Sequence, residues 1–452
     1  MNRRWNVSDF AKFLNVTFNG FDIPMPSKLV TDSRDVLNGD GFVAIQGENS
    51  DGHEYISYAI SRGAKFILAS KKEYIDTDKV CYILIDDLRE NLYKAAKKYL
   101  ENNSIIEIAV TGSMGKTTTR EFIYESLAKF YNIHKPYRSY NTKLGCALTI
   151  LTMKPDTDVI ILEMGANHVN DIFDISSYFM PDISIITNIE ACHIENFKKI
   201  ENIISTKFEI ISRKTKILVY NKDNINTKTK AKEINITKYD IGKNSKFYKI
   251  KNTEIISKNL NLIINFDIKN KLYENEYHVE VWGDQNVYPI TFASLISDLF
   301  KLNNKFVNNN LNKIKSLEGR GEILKTNSFF VIDDSYNANP QSMISSIKTL
   351  NYLNISECLL ILGEMKELGD EYIENHKQII DYISNRYILF LIGEAWKKIK
   401  INRENLFIFD NVFDSMYLLN FYIKKVKVIL VKGSHSNNLK FIIDKIKEDY
   451  KL

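Results

Sequence analysis

The sequence predicts an α/β protein of three domains built on mostly parallel, doubly wound sheets. Short apolar strands alternate with helical segments along most of the chain, as in successive parallel βαβ units. A glycine-rich stretch, TGSMGKTTT at 111–119, joins one such strand to a helix. The length of 452 residues exceeds what a single core organises, because domains run to about 100–200 residues.

The first domain is expected over residues 1–103. Its opening, MNRRWNVSDFAKFLNVTF, alternates polar and apolar residues without a long apolar run. Strand-like FVAIQG (42–47), FILAS (66–70) and CYILIDD (81–87) then alternate with helical patterns at 54–62 and 88–100. The central domain, 104–316, begins with the strand IIEIAVTG (105–112), which runs into the helical REFIYESLAKFY (120–131). Strands DVIIL (158–162) and ISIIT (183–187) follow. Between about 222 and 280 the chain is dense in Lys and Asn, and its short alternating runs read as a peripheral β-meander with solvated loops. The third domain, 317–452, carries FFVIDD (329–334), CLLILG (358–363), YILFLIG (387–393) and VKVILVKG (426–433), which predict a Rossmann-like parallel sheet of its own.

Composition narrows the function. Hydrophobic residues at 44% and charged residues at 26% are those of a globular protein. The net charge of +5, from 61 basic and 56 acidic side chains, is spread among Asn and Ile without a dense basic block, so no nucleic-acid partner is expected. Cys81, Cys146, Cys192 and Cys358 form no CxxC pair and are expected to be buried and reduced. No stretch reaches the roughly 18 apolar residues of a membrane span. A cytoplasmic monomer without membrane insertion is the expectation.

The loop at 111–119 carries the plainest chemistry. Glycines let backbone N–H groups turn toward phosphates, Lys116 offers them a point charge, and the Thr117 hydroxyl suits Mg²⁺. Val110 stands where the strict phosphate-loop pattern has Gly, so this is a variant written TGxxGKT. Nucleotide contacts are assigned to Thr111, Gly112, Ser113, Met114, Gly115, Lys116, Thr117 and Thr118. Other candidates are weaker on their own. A lone His193 is more often a hydrogen-bonded loop residue than a ligand, Lys207 a solvated helix lysine, Asn141 a turn residue, Asp334 a strand-end cap and Arg34 an exposed turn charge. Glu163 alone would read as an exposed carboxylate, yet it ends an apolar parallel strand, where such sheets place their ligands.

Further motifs stand in a fixed order around the loop. VTDSRDVLNGDGFVAIQGENSDGHEYISYAISRGAKFILAS at 30–70 precedes it. YNTKLGCALTIL (140–151), ILEMGANHVNDI (161–172), ITNIEACHIENFKKIENIISTKFEI (186–210), LEGRGEI (317–323), DDSYNANPQSM (333–343), ILGEMKELG (361–369) and VKGSH (431–435) follow. Together they resemble the Mur ligase family across nearly the whole chain. MGAN (164–167), YNANP (336–340) and GEMKELG (363–369) are similar to the branch that adds D-alanyl-D-alanine, and Asn-Ala-Asn-Pro stands where the diaminopimelate- or lysine-adding branch has an HTP motif.

The resemblance implies ATP-dependent ligation of D-alanyl-D-alanine to UDP-N-acetylmuramoyl-tripeptide through an acyl phosphate, a step of peptidoglycan synthesis. It implies two Mg²⁺ ions, held by Thr117, Glu163, His193 and Lys207, the last as a carbamate, with Lys116, Lys207 and His193 as the catalytic set. Asn141, Arg320, Asp334, Asn337 and Asn339 correspond to nucleotide contacts. Ser33, Arg34, Asp51, Gly52 and His53 correspond to UDP-sugar contacts, and Lys432 to a phosphate or substrate contact. Three positions depart from the family pattern. Ala147 replaces a common Pro and is expected to loosen the loop after Gly145, Asp171 is a shorter carboxylate than the usual Glu, and His435 follows KGS where Arg is usual. The competing readings are a Mur ligase adding another amino acid, a non-catalytic nucleotide-binding relative, and a phosphate-loop kinase or GTPase; for the last, NKDN at 221–224 is only superficially like a guanine-specificity motif.

Overall fold

The computed structural model describes residues 5–47, 50–76, 79–192, 194–258 and 261–452. Among them the strands form three sheets, each within one stretch of chain, so the architecture is three α/β domains in series. In the first, Leu29–Val30, Gly41–Val43, Phe66–Ala69 and Cys81–Leu84 run parallel, and Phe18–Asn19 closes the edge antiparallel to Cys81–Leu84. The opening segment contributes the helix Val7–Leu14, whose Val7, Phe10 and Ala11 are buried.

The central sheet has nine strands. Ile106–Thr111 lies between Val159–Glu163 and Ile183–Ile186, all parallel, and the chain continues outward on one side to Ile133–His134 and on the other to Ile217–Asn221 and Thr237–Gly242. The strand order therefore reverses beside Ile106–Thr111, the switch point at which open α/β sheets bind ligands. The Lys- and Asn-rich segment does form a β-meander, at the edge of the central sheet and continuous with it. After the capped helix Ile225–Ala231, strands Tyr248–Lys258, Asn261–Lys269 and Glu274–Val279 extend this same sheet, the last two antiparallel. The alternation explains it: Ile250, Ile264, Phe266, Ile268, Tyr277 and Val279 are buried on one face, with Lys, Asn and Asp between them. Helix Val287–Leu299 packs on that face and against Lys116–Leu127.

In the third sheet Phe330–Asp334, Val428–Lys432, Cys358–Gly363, Ile388–Ile392 and Leu406–Phe409 are parallel in that order, with Glu322–Lys325 antiparallel on the edge. Apolar clusters cover both faces, as a doubly wound sheet requires. All four cysteines are buried and unpaired. No helix among the described residues is long and apolar enough to cross a membrane. Ala147 does not loosen a loop. It sits buried within the helix Lys143–Leu151, where Pro would remove a backbone donor and Ala does not.

Candidate functional site

The loop after Ile106–Thr111 is shaped by contacts that only glycine permits at one position. Gly112 has φ 147°, and a Cβ there would lie 2.0 Å from Thr187 Oγ1. The neighbouring segment straps the loop down. Ser113 N donates to Asn188 O at 2.9 Å, Met114 N to Asn188 Oδ1 at 2.9 Å, and Thr187 Oγ1 to Met114 O at 2.6 Å. Gly115, at φ 77°, opens the helix Lys116–Leu127 with no side-chain cap and with open space around its Cα. The first amides of that helix are thus left to whatever fills the cavity, which is the geometry that holds phosphate.

Two loop residues assigned to nucleotide contact do other work. Thr111 is fully buried and donates to Met164 O at 2.7 Å, and Gly112 lies under Thr187. Neither faces the cavity, because the strand end must be anchored before the chain can turn. Ser113, Met114, Gly115, Lys116, Thr117 and Thr118 do line it.

Opposite the loop, Glu163 ends its strand only 1% exposed. Thr117 Oγ1 donates to Glu163 Oε2 at 2.8 Å and Asn141 Nδ2 donates to Oε1 at 3.2 Å. A hydroxyl and a carboxylate are thereby paired at the mouth of the phosphate loop, a donor set that fits Mg²⁺. Among the described residues no cluster of three His, Cys, Asp or Glu gathers. His193 lies outside the described residues.

Lys116 Nζ donates to Gly112 O at 2.8 Å, and burial holds its pKa below the ordinary lysine value. Lys207, on helix Ile200–Phe208, is 2% exposed and not a solvated lysine. Burial, and next the charge of Lys116, bring its pKa down to about 7. Two lysines share this buried region, and the nearby acidic groups are Asp171 and Glu209. Asp171 itself accepts the backbone amides of Asn167 and His168, both at 2.8 Å.

The third domain closes the cavity from the far side. Arg320 stacks over Tyr336, 4.0 Å from its ring centre. Lys432, 2% exposed, donates to Asp334 Oδ2 at 2.8 Å and to Asn337 O at 3.3 Å. Lys432 and Asp334, assigned separately to substrate and nucleotide, are therefore an ion pair at adjoining strand ends. Asn339 caps the helix Pro340–Tyr352, its Oδ1 accepting from Ser342 N at 2.9 Å, while Asn337 stands exposed at the rim. His435 lies edge-on to Tyr336. The whole cavity is about 1150 Å³, enough for a nucleotide and a second substrate, and its lining draws on all three domains, from Arg89 and Tyr93 to Lys432.

The residues assigned to the UDP-sugar lie outside this cavity. Arg34 is exposed and pairs with Asp32 at 2.6 Å, and Ser33 is buried. Asp51 accepts from His53 Nδ1 and from Lys71 Nζ, each at 2.6 Å, and these bonds hold its carboxyl far below the usual range. His53 is 1% exposed, and its Nε2 accepts from Ser70 N at 3.0 Å. It braces Asp51 and the strand end, where direct ligand contact was expected, because both ring nitrogens are already used. Gly52 packs against Ile45 O, with no room for a Cβ.

Sequence reading missed Arg120, Asn188 and the NKDN stretch. Asn188 stands in a quoted motif and holds the loop. Asn221, Asp223 and Asn224 line the cavity, and Asn224 also caps the helix Ile225–Ala231 and donates to Glu190 Oε1 at 2.8 Å. Gln285, Asn286 and Tyr288, beside the start of Val287–Leu299, complete that wall without any motif to mark them.

Three family descriptions match the chain in order: "Mur ligase family, catalytic domain" over 27–108, "Mur ligase middle domain" over 110–296 and "Mur ligase, glutamate ligase domain" over 319–435. A UDP-N-acetylmuramoyl-tripeptide–D-alanyl-D-alanine ligase of Rickettsia prowazekii is 32% identical over 91% of this chain and 93% of its own length. The protein of that name from Bacillus subtilis is 30% identical over 77% of this chain and 76% of its own. Among solved structures, the MurF ligase of Thermotoga maritima in complex with ADP is 25% identical, with a TM-score of 0.76 over 94% of this chain and 98% of that one. A MurF structure from Acinetobacter baumannii shares the fold, with a TM-score of 0.81 at 21% identity over 99% of both chains.

Proposed function

The chain belongs to the Mur ligase family, and on that premise we propose that it joins D-alanyl-D-alanine to UDP-N-acetylmuramoyl-tripeptide, with ATP cleaved to ADP and phosphate. The observation that carries this reading is the single cavity onto which the phosphate loop, the Thr117–Glu163 pair and Arg320 all open. A ligase that must bring three substrates together needs such a common chamber between domains, whereas a simple nucleotide switch does not.

The reaction takes two steps. The terminal carboxylate of the tripeptide attacks the γ-phosphorus and displaces ADP, giving an acyl phosphate. The dipeptide amine then attacks the carbonyl carbon, the C–O bond to phosphate breaks, and the amine proton passes to solvent. Both steps bring anions together, so charge compensation and alignment dominate over acid–base help. The amides of the phosphate loop fix the phosphates, and Lys116 compensates their charge. Arg320 is placed to do the same from the third domain. Thr117 and Glu163 would hold Mg²⁺, which when bound neutralises the transferring phosphoryl group. In our reading Lys207 acts as a carbamate, which a pKa brought down to about 7 favours and which would turn its opposition to Lys116 into attraction.

The test is a substrate panel. Phosphate release is expected only with ATP, UDP-N-acetylmuramoyl-tripeptide and D-alanyl-D-alanine together. Release with a single amino acid in place of the dipeptide would assign another branch, and nucleotide binding without any release would make the chain a non-catalytic relative. For the first domain, taken as 1–103 ahead of a central 104–316 and a third 317–452, Arg34 is the proposed diphosphate contact. Its exposed guanidinium is held only by Asp32, so a bidentate anion can recruit it. Arg34→Ala is expected to weaken UDP-N-acetylmuramoyl-tripeptide about ten- to hundredfold in a calorimetric titration and to leave ATP unchanged, since a charge-assisted contact is worth about 1.5–3 kcal/mol. Equal losses for both ligands would count against this assignment.

A further inference from the structure

Arg120 follows the phosphate-loop threonines and looks in the sequence like an ordinary basic residue on a helix. In the structure it is 2% exposed. It sits one turn beyond Thr117 on the same helix face, and both side chains reach the same oxygen: Arg120 Nη1 donates to Glu163 Oε2 at 3.2 Å, beside the 2.8 Å bond from Thr117 Oγ1. The same Nη1 donates to Arg138 O at 2.6 Å. Arg138 is at φ 52° and pairs through its own guanidinium with Asp35 of the first domain at 2.7 Å. The other edge of Arg120 is fixed by Glu121 Oε1, at 3.0 Å from Nε and 2.6 Å from Nη2, and Lys135 pairs with Glu121 in turn. Four of the five N–H donors of this guanidinium are thus held.

We propose that Arg120 is a positioning residue for the divalent cation: one nitrogen fixes both the carboxylate that takes the metal and the backbone of the 138–141 segment, which carries Asn141 on the other side of that carboxylate. A buried ion pair is weak evidence for stability, because desolvating two charges offsets most of their attraction. What a guanidinium braced through all three of its nitrogens does supply is direction. A free glutamate side chain has several rotamers, and a metal demands one. Partners outside the direct ligand set typically change metal affinity by about 10–100-fold when removed. The inference rests on the Mg²⁺–nucleotide reading of the site.

The test uses the full chain with ADP and Mn²⁺ as a spectroscopic stand-in for Mg²⁺, free Mn²⁺ being read by electron paramagnetic resonance. Arg120→Met keeps the stem and removes every donor. It is expected to weaken Mn²⁺ about tenfold in the presence of ADP, and to raise the KM for Mg²⁺ by a similar factor while kcat at saturating Mg²⁺ falls far less. Arg120→Lys, which keeps the charge and can still reach Glu163 Oε2 and Arg138 O, is expected to recover most of the loss, so a misfolded methionine variant does not decide the question alone. ADP binding in the presence of a chelator should be the same in all three proteins. Unchanged Mn²⁺ affinity in Arg120→Met, or a lower kcat with the KM for Mg²⁺ unmoved, overturns the positioning role while leaving the ligase reading intact. Failure of the unmodified chain to take up Mn²⁺ with ADP overturns both.

Discussion

Lys116→Ala is expected to lower ATP-dependent ligation by about a hundred- to thousandfold while the protein stays folded, the scale set by loss of one preorganised donor to a developing anion. Its ammonium makes no apolar contact that the core depends on. It rests on the carbonyls of Gly112 and Ser113, at 2.8 and 3.4 Å, and these stay in place by the backbone bonds of the loop to Asn188. The rate loss should therefore appear without a matching loss of melting temperature. Binding of UDP-N-acetylmuramoyl-tripeptide, followed by calorimetry, should also survive, because the proposed contacts lie in another domain. A variant that turns over at near the normal rate would remove the loop from the reaction. One that unfolds would show that burial of this lysine is structural.

Much of the fold could be read because parallel strands buried on both faces write themselves as apolar runs. IEIAV, VIIL, ISII, CLLIL and VILV each became a strand within a residue or two of the expected limits. The meander expected between about 222 and 280 was less fully legible, for a physical reason. A sheet with one wet face alternates, and that alternation marked the strands; the Lys and Asn of the wet face hid only how deeply the other face buries Phe266 and Tyr277, stacked at 5.1 Å, in the core of the central domain.

Within the site, the ordered motifs identified the segments better than the roles of individual side chains. Glu163 stands beside Thr117, and Ser113 to Thr118 face one cavity with Asn141, Arg320, Asp334, Asn337, Asn339 and Lys432. What a motif does not encode is whether a polar side chain faces the cavity or is used up within the protein. Thr111 anchors a strand, His53 spends both ring nitrogens on Asp51 and Ser70, and Asn339 caps a helix. Arg120 shows the converse. Nothing in KTTTRE separates an arginine that braces a buried carboxylate from one in water, since the difference lies in Glu163 and Arg138, which are remote in sequence.

The second large effect is expected at Lys207. An ammonium buried beside Lys116 would oppose the metal we propose for this site, whereas the neutral amine, with its pKa brought down to about 7, can add to CO₂, forming an N–C bond and releasing one proton. The product is an anionic oxygen donor. Lys207→Ala should then lower activity roughly a hundredfold, because the site loses a negative ligand where metal and nucleotide charges must balance. If the carbamate is the missing anion, formate or acetate at high concentration should take up the space left by the side chain and restore part of the rate to the alanine variant. The pH dependence has a definite sign. Carbamate formation needs the unprotonated amine, so at a fixed concentration of dissolved CO₂ reactivation of CO₂-stripped, unmodified protein should speed up as pH rises through about 7 and should be absent in Lys207→Ala. The decisive comparison is rescue by acids against rescue by amines. Methylamine restoring the variant where acetate does not would make Lys207 a plain cation and reject the carbamate, and full activity of the unrescued variant would leave this buried lysine without a part in the reaction.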